Sequence, residues 1–500
     1  MRTQKTVVNV IVSLIYQIVA IVCGLITPRL ILGKFGSEYN GVISSATQFL
    51  SMISILTLGI AGPTRVALYK TLAADDKLGT SRIVKATNNY MRKVACGLVF
   101  YSVVLMIIYP IISHNELQWY ESALIIVIVS FGTFMEYFFG TTSNTLLTAD
   151  QRQYIYSFLQ IIATILNTVC VAILIKLNFS IFVVKFVSAF LFALTPLGMS
   201  AYVRKKYCLV SNCMPDDSAI KARSAAAFHS IANIVHDNTD LMILTVFTSA
   251  KEISVYTVYY FVVGKIKMLM RVFTNGLEAA FGNMWAKKEY TTLKDRFRLY
   301  EVVMYTFVAV VFSCVGILIV PFVIQYTKGV NDVNYARYGL GILITVTEGI
   351  YCIRQPYLTL VQACGYYEET KNGAILEAVV NLVASIILVY FYGIIGVIVG
   401  TLLANIIRTT QYMIFTYTQI THENIIYAIK QMIMMMVAVI TTVSISISVL
   451  DLVAMDGWMG WICKGIITFI FACLFALLSN VIFNKKEIKD LCVIFFRKRN

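Results

Sequence analysis

Charged and polar side chains recur at helical spacing inside two long apolar stretches in the middle of the chain. In the stretch at 223–249, helical spacing puts five polar or charged residues on one face: His229, Asn233, His236, Asp237 and Asp240. The stretch at 254–284 has these on one face: Lys267, Arg271, Asn275 and Glu278. A charge at bilayer depth costs at least ~2.5–3.5 kcal/mol, so such residues persist only where they face water or each other. The pattern predicts an aqueous, charged chamber inside a membrane protein.

The elements that position these residues are predicted to be membrane helices. Of the 500 residues, 59% are hydrophobic and only 13% are charged, against about 25% charged in soluble domains. Apolar runs of about 20 residues recur along the whole chain. They predict an all-α, polytopic membrane protein with about fourteen transmembrane helices, among them helices at 298–320, 337–363, 372–391 and 395–418. The short, turn-forming sequence at 33–41 is predicted to connect the first two helices. No stretch between these runs is long enough to fold as a soluble domain.

The net charge of +15 is distributed as in a membrane protein rather than in a protein that binds nucleic acid. Most of the 41 Lys and Arg residues lie in segments that the helix assignment puts in the cytoplasm. This positive-inside bias predicts cytoplasmic N- and C-termini and a bacterial-type inner (plasma) membrane. The eleven Cys residues form no CxxC motif and lie mostly in apolar runs, so we expect neither a disulfide framework nor a metal site.

The chain divides into two halves of similar plan. Three residues of the first half align without gaps with three of the second: Tyr39 with Tyr256, Gly59 with Gly276, and Lys70 with Lys287. We predict an N-terminal six-helix lobe at 1–210, a cytoplasmic linker at 211–222, a C-terminal six-helix lobe at 223–418, and two further helices with a basic tail at 419–500. Repeated membrane halves are typical of alternating-access transporters, which bind substrate near the bilayer midplane.

Two stretches carry a resemblance to a known family. They are PRLILGKFGSEYNGVISSATQFLSMISILTLGI at 28–60 and NTDLMILTVF…ISVYTVYYFVVGKI at 238–266. With the fourteen helices in two halves, they resemble the polysaccharide-biosynthesis flippases of the multidrug/oligosaccharidyl-lipid/polysaccharide exporter superfamily. Those flippases move undecaprenyl-diphosphate-linked oligosaccharide repeat units of O-antigen, capsule or exopolysaccharide to the outer leaflet. The resemblance implies this function by alternating access through a cationic cavity, among membrane lipids and with a polysaccharide polymerase or export complex as a partner.

The resemblance also implies roles for individual charged residues. The cations that would bind the diphosphate are Arg29, Arg65, Lys267, Arg271 and Arg354. The carboxylates that would bind H⁺ or Na⁺, with no other cofactor, are Asp237, Asp240, Glu278 and Glu348. Two simpler roles stay open: Arg65 would snorkel to the cytoplasmic headgroups, and the two aspartates would pair with Lys267 and Arg271. For Arg408, near the cytoplasmic end of the helix at 395–418, snorkelling is the expected role.

Two other functional classes compete with the flippase. A cation-coupled multidrug exporter of the same superfamily would favour an acidic, aromatic cavity, whereas this chain has at least as many cations as acids among its intramembrane residues. A membrane enzyme such as a glycan polymerase or ligase would need a sizeable outer loop with catalytic residues, and the predicted outer segments are all short. The sequence therefore favours a transporter of an anionic lipid-linked glycan.

Overall fold

The computed structural model describes residues 2–57, 60–114, 116–210, 213–216, 238–450 and 457–489. Helices make up nearly all the regular structure in these ranges, where the only β-type pairing is an isolated bridge between His114 and Ser249. Ten helices of the described ranges are long and apolar enough to cross a membrane. The prediction of an all-α, multi-pass membrane protein is confirmed.

The first of two compact units consists of Met1–Val255 and Gly329–Val333. Its helices are α1 Arg2–Ser51, α2 Ala61–Ala73, α3 Lys77–Ile112, α4 Trp119–Met135, α5 Thr141–Ala149, α6 Tyr154–Lys176, α7 Ile181–Tyr207 and α8 Asn238–Phe247. A 3₁₀ helix at Met52–Thr57 follows α1, and a π-turn at Glu136–Gly140 joins α4 to α5.

The second unit consists of Tyr256–Lys328 and Asn334–Asn500. Its helices are α9 Ala250–Ala286, which starts in the first unit, α10 Tyr290–Tyr326, α11 Tyr338–Ile353, α12 Gln355–Ala363, α13 Tyr367–Tyr392, α14 Ile394–Phe415, α15 Ile426–Leu450 and α16 Gly457–Phe483. A π-turn at Thr416–Ile420 follows α14. The unit boundary at 255–256 lies downstream of the predicted linker at 211–222, and α15 and α16 belong to the second unit.

A sharp bend divides α1 into two arms. Gly36 has φ +83° and ψ 179°, a conformation that glycine adopts without steric cost. The bend falls within the turn-forming sequence GKFGSEYNG at 33–41. Asp332 holds the bend from outside, since it accepts hydrogen bonds from the Ser37 amide at 2.7 Å and from the Ser37 hydroxyl at 2.6 Å. A short turn expected between two membrane helices is thus a one-residue break in a continuous helical run.

Close backbone contact brings α13 and α14 together as a hairpin. Gly393 connects the two helices with φ +57°. A Cβ atom at Gly400 would lie 2.6 Å from the backbone nitrogen of Ser385, which is closer than Cβ atoms approach other atoms in proteins. Glycine is therefore required at this contact. The hairpin places Glu377 of α13 beside Arg408 of α14.

The helix predicted at 337–363 is interrupted at Arg354, which separates α11 from α12. Pro356 follows in the first turn of α12, where it has no N–H group to donate to the preceding turn. Against this region, α10 packs the buried side chains of Phe297 and Tyr300. The helices α15 and α16 pack on the other side of α10, and the Trp461 indole donates a hydrogen bond to the Leu318 carbonyl at 3.1 Å. The second unit therefore has α10 at its centre.

Candidate functional site

An ion pair joins two helices of the second unit within the predicted membrane region. Lys267 lies on α9 and Glu348 on α11, and the Lys267 Nζ atom is 3.0 Å from Glu348 Oε2. Both residues are buried, at 5% exposure each. Tyr260, two turns earlier on α9, accepts a hydrogen bond from the same ammonium group at 3.3 Å. The lysine that the sequence placed in the charged chamber thus has an intramembrane carboxylate as its partner.

The ring of Tyr351 connects this pair to a second cation. Lys267 Nζ lies 4.1 Å from the ring centroid, and the Arg354 guanidinium carbon lies 4.6 Å from it. Tyr351 is one turn after Glu348 on α11, and Arg354 follows at the end of the helix. Cations attracted to an aromatic face gain about 0.5–2 kcal/mol each, with the larger values in desolvated sites. Tyr351 therefore contacts two cations, one from α9 and one at the end of α11.

Glu377 bridges Arg354 to a third cation. The Arg354 Nη1 group donates to Glu377 Oε1 at 2.5 Å, and Arg408 Nε lies 3.4 Å from Glu377 Oε2. Arg354 is 3% exposed and Arg408 is 2% exposed, so both guanidinium groups are inside the protein. The α13–α14 hairpin and the end of α11 meet at this carboxylate.

Arg408 is held by more partners than Glu377 alone. Its Nη1 group donates to the Thr370 carbonyl at 2.9 Å and to Gln411 Oε1 at 2.6 Å, and its Nη2 group donates to the Tyr412 hydroxyl. The Tyr412 ring also lies under the guanidinium, 3.9 Å from its central carbon. The expectation that Arg408 snorkels to the headgroups is wrong, because Glu377 and these groups fix it within the protein.

Together these residues form what we call the charge chain: Glu348, Lys267, Tyr351, Arg354, Glu377 and Arg408. It contains three cations and two carboxylates, a formal excess of one positive charge. All six side chains are buried. Removing one partner of a buried ion pair costs about 3–5 kcal/mol, because the remaining charge is left without compensation. The chemistry available here is therefore the exchange of one anionic partner for another.

The other predicted cations lie elsewhere. Arg29 is on α1 of the first unit, where its guanidinium folds over Gly33; a Cβ atom at Gly33 would be 3.3 Å from Nη1. Arg65 is an exposed residue of α2. Arg271 lies on α9, but its side chain is outside the described residues. Of the predicted substrate-binding cations, the structure brings Lys267 and Arg354 together.

The predicted ion-coupling carboxylates are also divided. Glu348 belongs to the charge chain. Asp240 is a buried residue of α8 in the first unit, at 8% exposure. Glu278 is half-buried on α9, in the second unit. Asp237 lies outside the described residues, and so does its predicted pairing with Arg271. Glu348 is thus a carboxylate of this set whose cationic partner, Lys267, lies in the described residues.

No protein-family model and no curated protein sequence matches the chain. Among solved structures, the lipid II flippase MurJ in an inward closed conformation is similar with a TM-score of 0.70. The identity is 13%, over 96% of this chain and 100% of that chain. An inward-facing multidrug resistance MATE family transporter of the MOP superfamily gives a TM-score of 0.62 at 14% identity, over 83% of this chain and 98% of that chain.

The chain shares its fold with solved structures of the lipid II flippase MurJ and of MATE family transporters. An outward-facing MATE family transporter of the same superfamily adds to this likeness, with a TM-score of 0.56 at 15% identity over 84% of this chain and 96% of that chain. Identities of 13–15% establish a shared fold and no shared substrate. What this chain binds must therefore be argued from its own charges.

Two charged residues of the charge chain were not predicted as site residues: Glu377 was given no role, and Arg408 was expected to snorkel to the headgroups. Glu377 and Arg408 lie in apolar stretches that were predicted as membrane helices at 372–391 and 395–418. A charged residue in such a stretch is by default a candidate for a functional site. Applied to every intramembrane charge, that rule would have selected both residues. Their pairing with each other and with Arg354 could not be read from spacing along one helix.

Proposed function

We propose that the chain moves undecaprenyl-diphosphate-linked oligosaccharide repeat units from the cytoplasmic to the outer leaflet by alternating access. The observation that supports this most is the charge chain, which buries three cations with two carboxylates. The likeness in fold to the lipid II flippase MurJ also favours it. In this proposal the protein is a transporter and not an enzyme. It acts in a bacterial-type inner membrane, with cytoplasmic termini, beside a polysaccharide polymerase or export complex.

An excess of buried positive charge suits a diphosphate. The diphosphate carries about two negative charges, and its glycan is highly polar, so crossing about 30 Å of hydrocarbon needs a wet route lined by cations. Arg side chains match phosphate oxygens with paired N–H donors, and Lys adds a point charge. Lys267, Arg354 and Arg408 supply these groups, while the isoprenoid tail stays in the lipid.

The carboxylates of the charge chain hold the cations when no substrate is bound. In the proposed cycle, the diphosphate replaces Glu348 as the partner of Lys267 and replaces Glu377 as the partner of Arg354. A ligand shifts a conformational equilibrium only through a difference in its contacts with the two states, and this exchange of partners provides one. The released carboxylates can then bind H⁺ or Na⁺. The proposed ion-coupling residues are Glu348, Asp237, Asp240 and Glu278.

The test is a flipping assay with the full-length protein in liposomes that contain a fluorescent lipid-linked diphosphate oligosaccharide. Glycan exposed on the outer surface is measured by its accessibility to a lectin. The double variant Lys267→Gln/Glu348→Gln removes two opposite charges together, so neither is left buried and unpaired. A lost charge-assisted hydrogen bond weakens binding by about 1.5–3 kcal/mol, so we expect half-saturation at roughly ten- to hundredfold more substrate.

The matched control uses the same two substitutions at a more exposed pair. Glu368 and Lys371 lie on α13 with 3.9 Å between their charged atoms, outside the charge chain. Flipping by Lys371→Gln/Glu368→Gln should equal that of the wild type. Wild-type half-saturation in the Lys267→Gln/Glu348→Gln variant would sink the proposed role of the charge chain.

A cation-coupled multidrug exporter of the same superfamily is the second candidate. The likeness in fold to MATE family transporters and the two buried carboxylates of the charge chain favour it. Glu348 and Glu377 would then receive the cationic drug. Extrusion of a cationic dye from the same liposomes, without flipping of the lipid-linked diphosphate, selects this candidate. The excess of positive charge in the charge chain ranks it second.

A further inference from the structure

A buried carboxylate on α10 lies outside the charge chain. Glu301 is 0% exposed, and each of its oxygens accepts one hydrogen bond from a tyrosine hydroxyl. Tyr357 donates to Oε1 at 2.5 Å, and Tyr417 donates to Oε2 at 2.7 Å. Within the described residues, no Lys, Arg or His side chain contacts this carboxylate. Burying an ionised carboxylate without a cation is costly, and binding a proton removes that cost.

The cation one turn earlier on α10 is already neutralised. Arg298 donates from Nε to Glu423 Oε2 at 3.0 Å, and its Nη2 atom lies 2.9 Å from Oε1 of the same carboxylate. Its guanidinium also lies 5.0 Å from the ring centroid of Tyr427. This bidentate pair adds no net charge beside Glu301. The other titratable groups that interact with the carboxylate are four tyrosines: Tyr305, Tyr357, Tyr417 and Tyr427.

A chain of hydroxyl groups leads from Glu301 to a small polar cavity. The Tyr357 hydroxyl, which donates to Glu301, is 2.9 Å from the Tyr305 hydroxyl. Tyr305 lines a cavity of about 10 Å³ between α10, α15 and α16. A site of roughly that size with two or more polar partners can hold one water molecule. Its polar lining also includes Thr306, Gln431 and Asn480.

Amide side chains continue this path to the end of α16. Asn480 donates to Thr306 Oγ1 at 2.8 Å and accepts from Asn484 at 2.8 Å. Gln431 and Asn484 exchange two hydrogen bonds, at 2.7 and 3.0 Å. Asn484 directly precedes two lysines of the basic tail, which the positive-inside bias assigns to the cytoplasm. Polar groups therefore follow one another from the cytoplasmic end of α16 to the buried carboxylate.

We infer that Glu301 is a proton-binding site that links the transport cycle to the proton gradient. The link to transport rests on the proposed function. The Tyr305 hydroxyl accepts a proton from a hydronium ion that reaches the cavity and is left there as water, and Tyr305 passes its own proton to Tyr357. Tyr357 in turn passes its own proton to the Glu301 carboxylate. Each hydroxyl ends with one proton, and the carboxylate becomes a neutral acid.

Protonation of Glu301 changes how two helices of the charge chain are held. A neutral acid accepts weaker hydrogen bonds than a carboxylate does, so the ties to both tyrosines weaken. Tyr357 lies on α12, which begins directly after Arg354. Tyr417 lies on the π-turn that follows α14, the helix of Arg408. The proton therefore loosens the segments that fix two of the three cations.

Infrared difference spectroscopy of the full-length protein in lipid vesicles tests the site directly. As the pH is lowered, the wild type should gain the C=O stretching band of a protonated carboxyl group. The variant Glu301→Gln should lose that band from the difference spectrum. Tyr357→Phe and Tyr417→Phe should each shift it, because each removes one hydrogen bond to the acid. Glu368→Gln, an exposed change on α13, should leave the band unchanged.

A spectrum of folded Glu301→Gln identical to that of the wild type overturns the inference. If that variant does not fold, the two Tyr→Phe variants decide, and unshifted bands in both overturn it as well. The flipping assay separates the two proposals. A titrating Glu301 band without lipid flipping rejects the proposed function and leaves the proton site. Flipping without a titrating band rejects the proton site and leaves the function.

Discussion

Replacing Glu377 by Gln perturbs the charge chain at the point where one carboxylate serves two guanidinium groups. Its Oε1 accepts from Arg354 at 2.5 Å, and its Oε2 lies 3.4 Å from Arg408 Nε. Gln has nearly the same shape and keeps one acceptor oxygen. The substitution therefore removes the negative charge and leaves the packing of α13 against α14 unchanged.

Loss of the Glu377 charge affects Arg354 more than Arg408. Arg408 keeps its hydrogen bonds to the Thr370 carbonyl, to Gln411 and to Tyr412. Arg354, at 3% exposure, keeps its contact with an aromatic ring as compensation for its charge. Removing one partner of a buried ion pair costs about 3–5 kcal/mol, and we expect the free energy of unfolding to fall by that amount. The double variant Arg354→Gln/Glu377→Gln should recover most of it, because the more weakly held charge is gone.

Reversible unfolding in mixed detergent micelles, followed by circular dichroism, measures these free energies. Glu368→Gln is the control on the same helix, since its carboxylate is exposed and lies 3.9 Å from Lys371. Exposed pairs contribute about 0–1 kcal/mol, so this control should change little. Equal losses for Glu377→Gln and Glu368→Gln would refute the buried-charge reasoning. A double variant no more stable than Glu377→Gln would show that unpaired Arg354 is not the cause.

Two predictions concern other contacts. Gly400→Ala puts a Cβ atom 2.6 Å from the Ser385 nitrogen and should lower the free energy of unfolding by about 1–3 kcal/mol. Gly97→Ala adds a Cβ atom that meets nothing within 4 Å, so it should not lower the free energy of unfolding. Equal losses for the two variants in the same unfolding assay would contradict the close contact at Gly400. Lys251 lies outside the predicted span at 254–284, and its hydrogen bond with Glu116 raises its pKa. The ion pair is therefore present below the ordinary lysine pKa and is lost as pH rises through the raised pKa of Lys251. An amine-reactive reagent should label Lys251 at lower pH in Glu116→Gln than in the wild type, and identical profiles contradict this.

Hydrophobicity and charge were enough to predict the helical membrane fold and part of the site. Apolar runs gave the helices because their length and composition suit a bilayer. The turn-forming residues at 33–41 predicted the break that the structure has at Gly36. Intramembrane charge selected Lys267, Glu348 and Arg354, which the structure assembles with one another. The helices could be predicted because each depends on a single segment of the chain. The substrate-binding and ion-coupling roles of these three residues stay predictions.

The partners of these charges depend on which helices are neighbours, and spacing along one helix does not contain that information. Arg408 was expected to reach the headgroups, but the α13–α14 hairpin turns it towards Glu377. That hairpin depends on the absence of a side chain at Gly400. Glu301 lies near the start of the helix predicted at 298–320 and was not selected as a candidate residue. Only tertiary contact reveals that two tyrosines from other helices enclose it.

The single excess positive charge of the charge chain has an electrical consequence for the proposed cycle. A diphosphate brings about two negative charges, so while Glu348 and Glu377 stay ionised and bind no H⁺ or Na⁺, the charge chain is net positive when empty and net negative when loaded. Moving one elementary charge through 100 mV changes the free energy by about 2.3 kcal/mol. With the cytoplasm negative, the membrane potential drives the loaded site outward and the empty site back inward. Because the substrate itself reverses the sign of the site, one constant voltage favours both strokes of export.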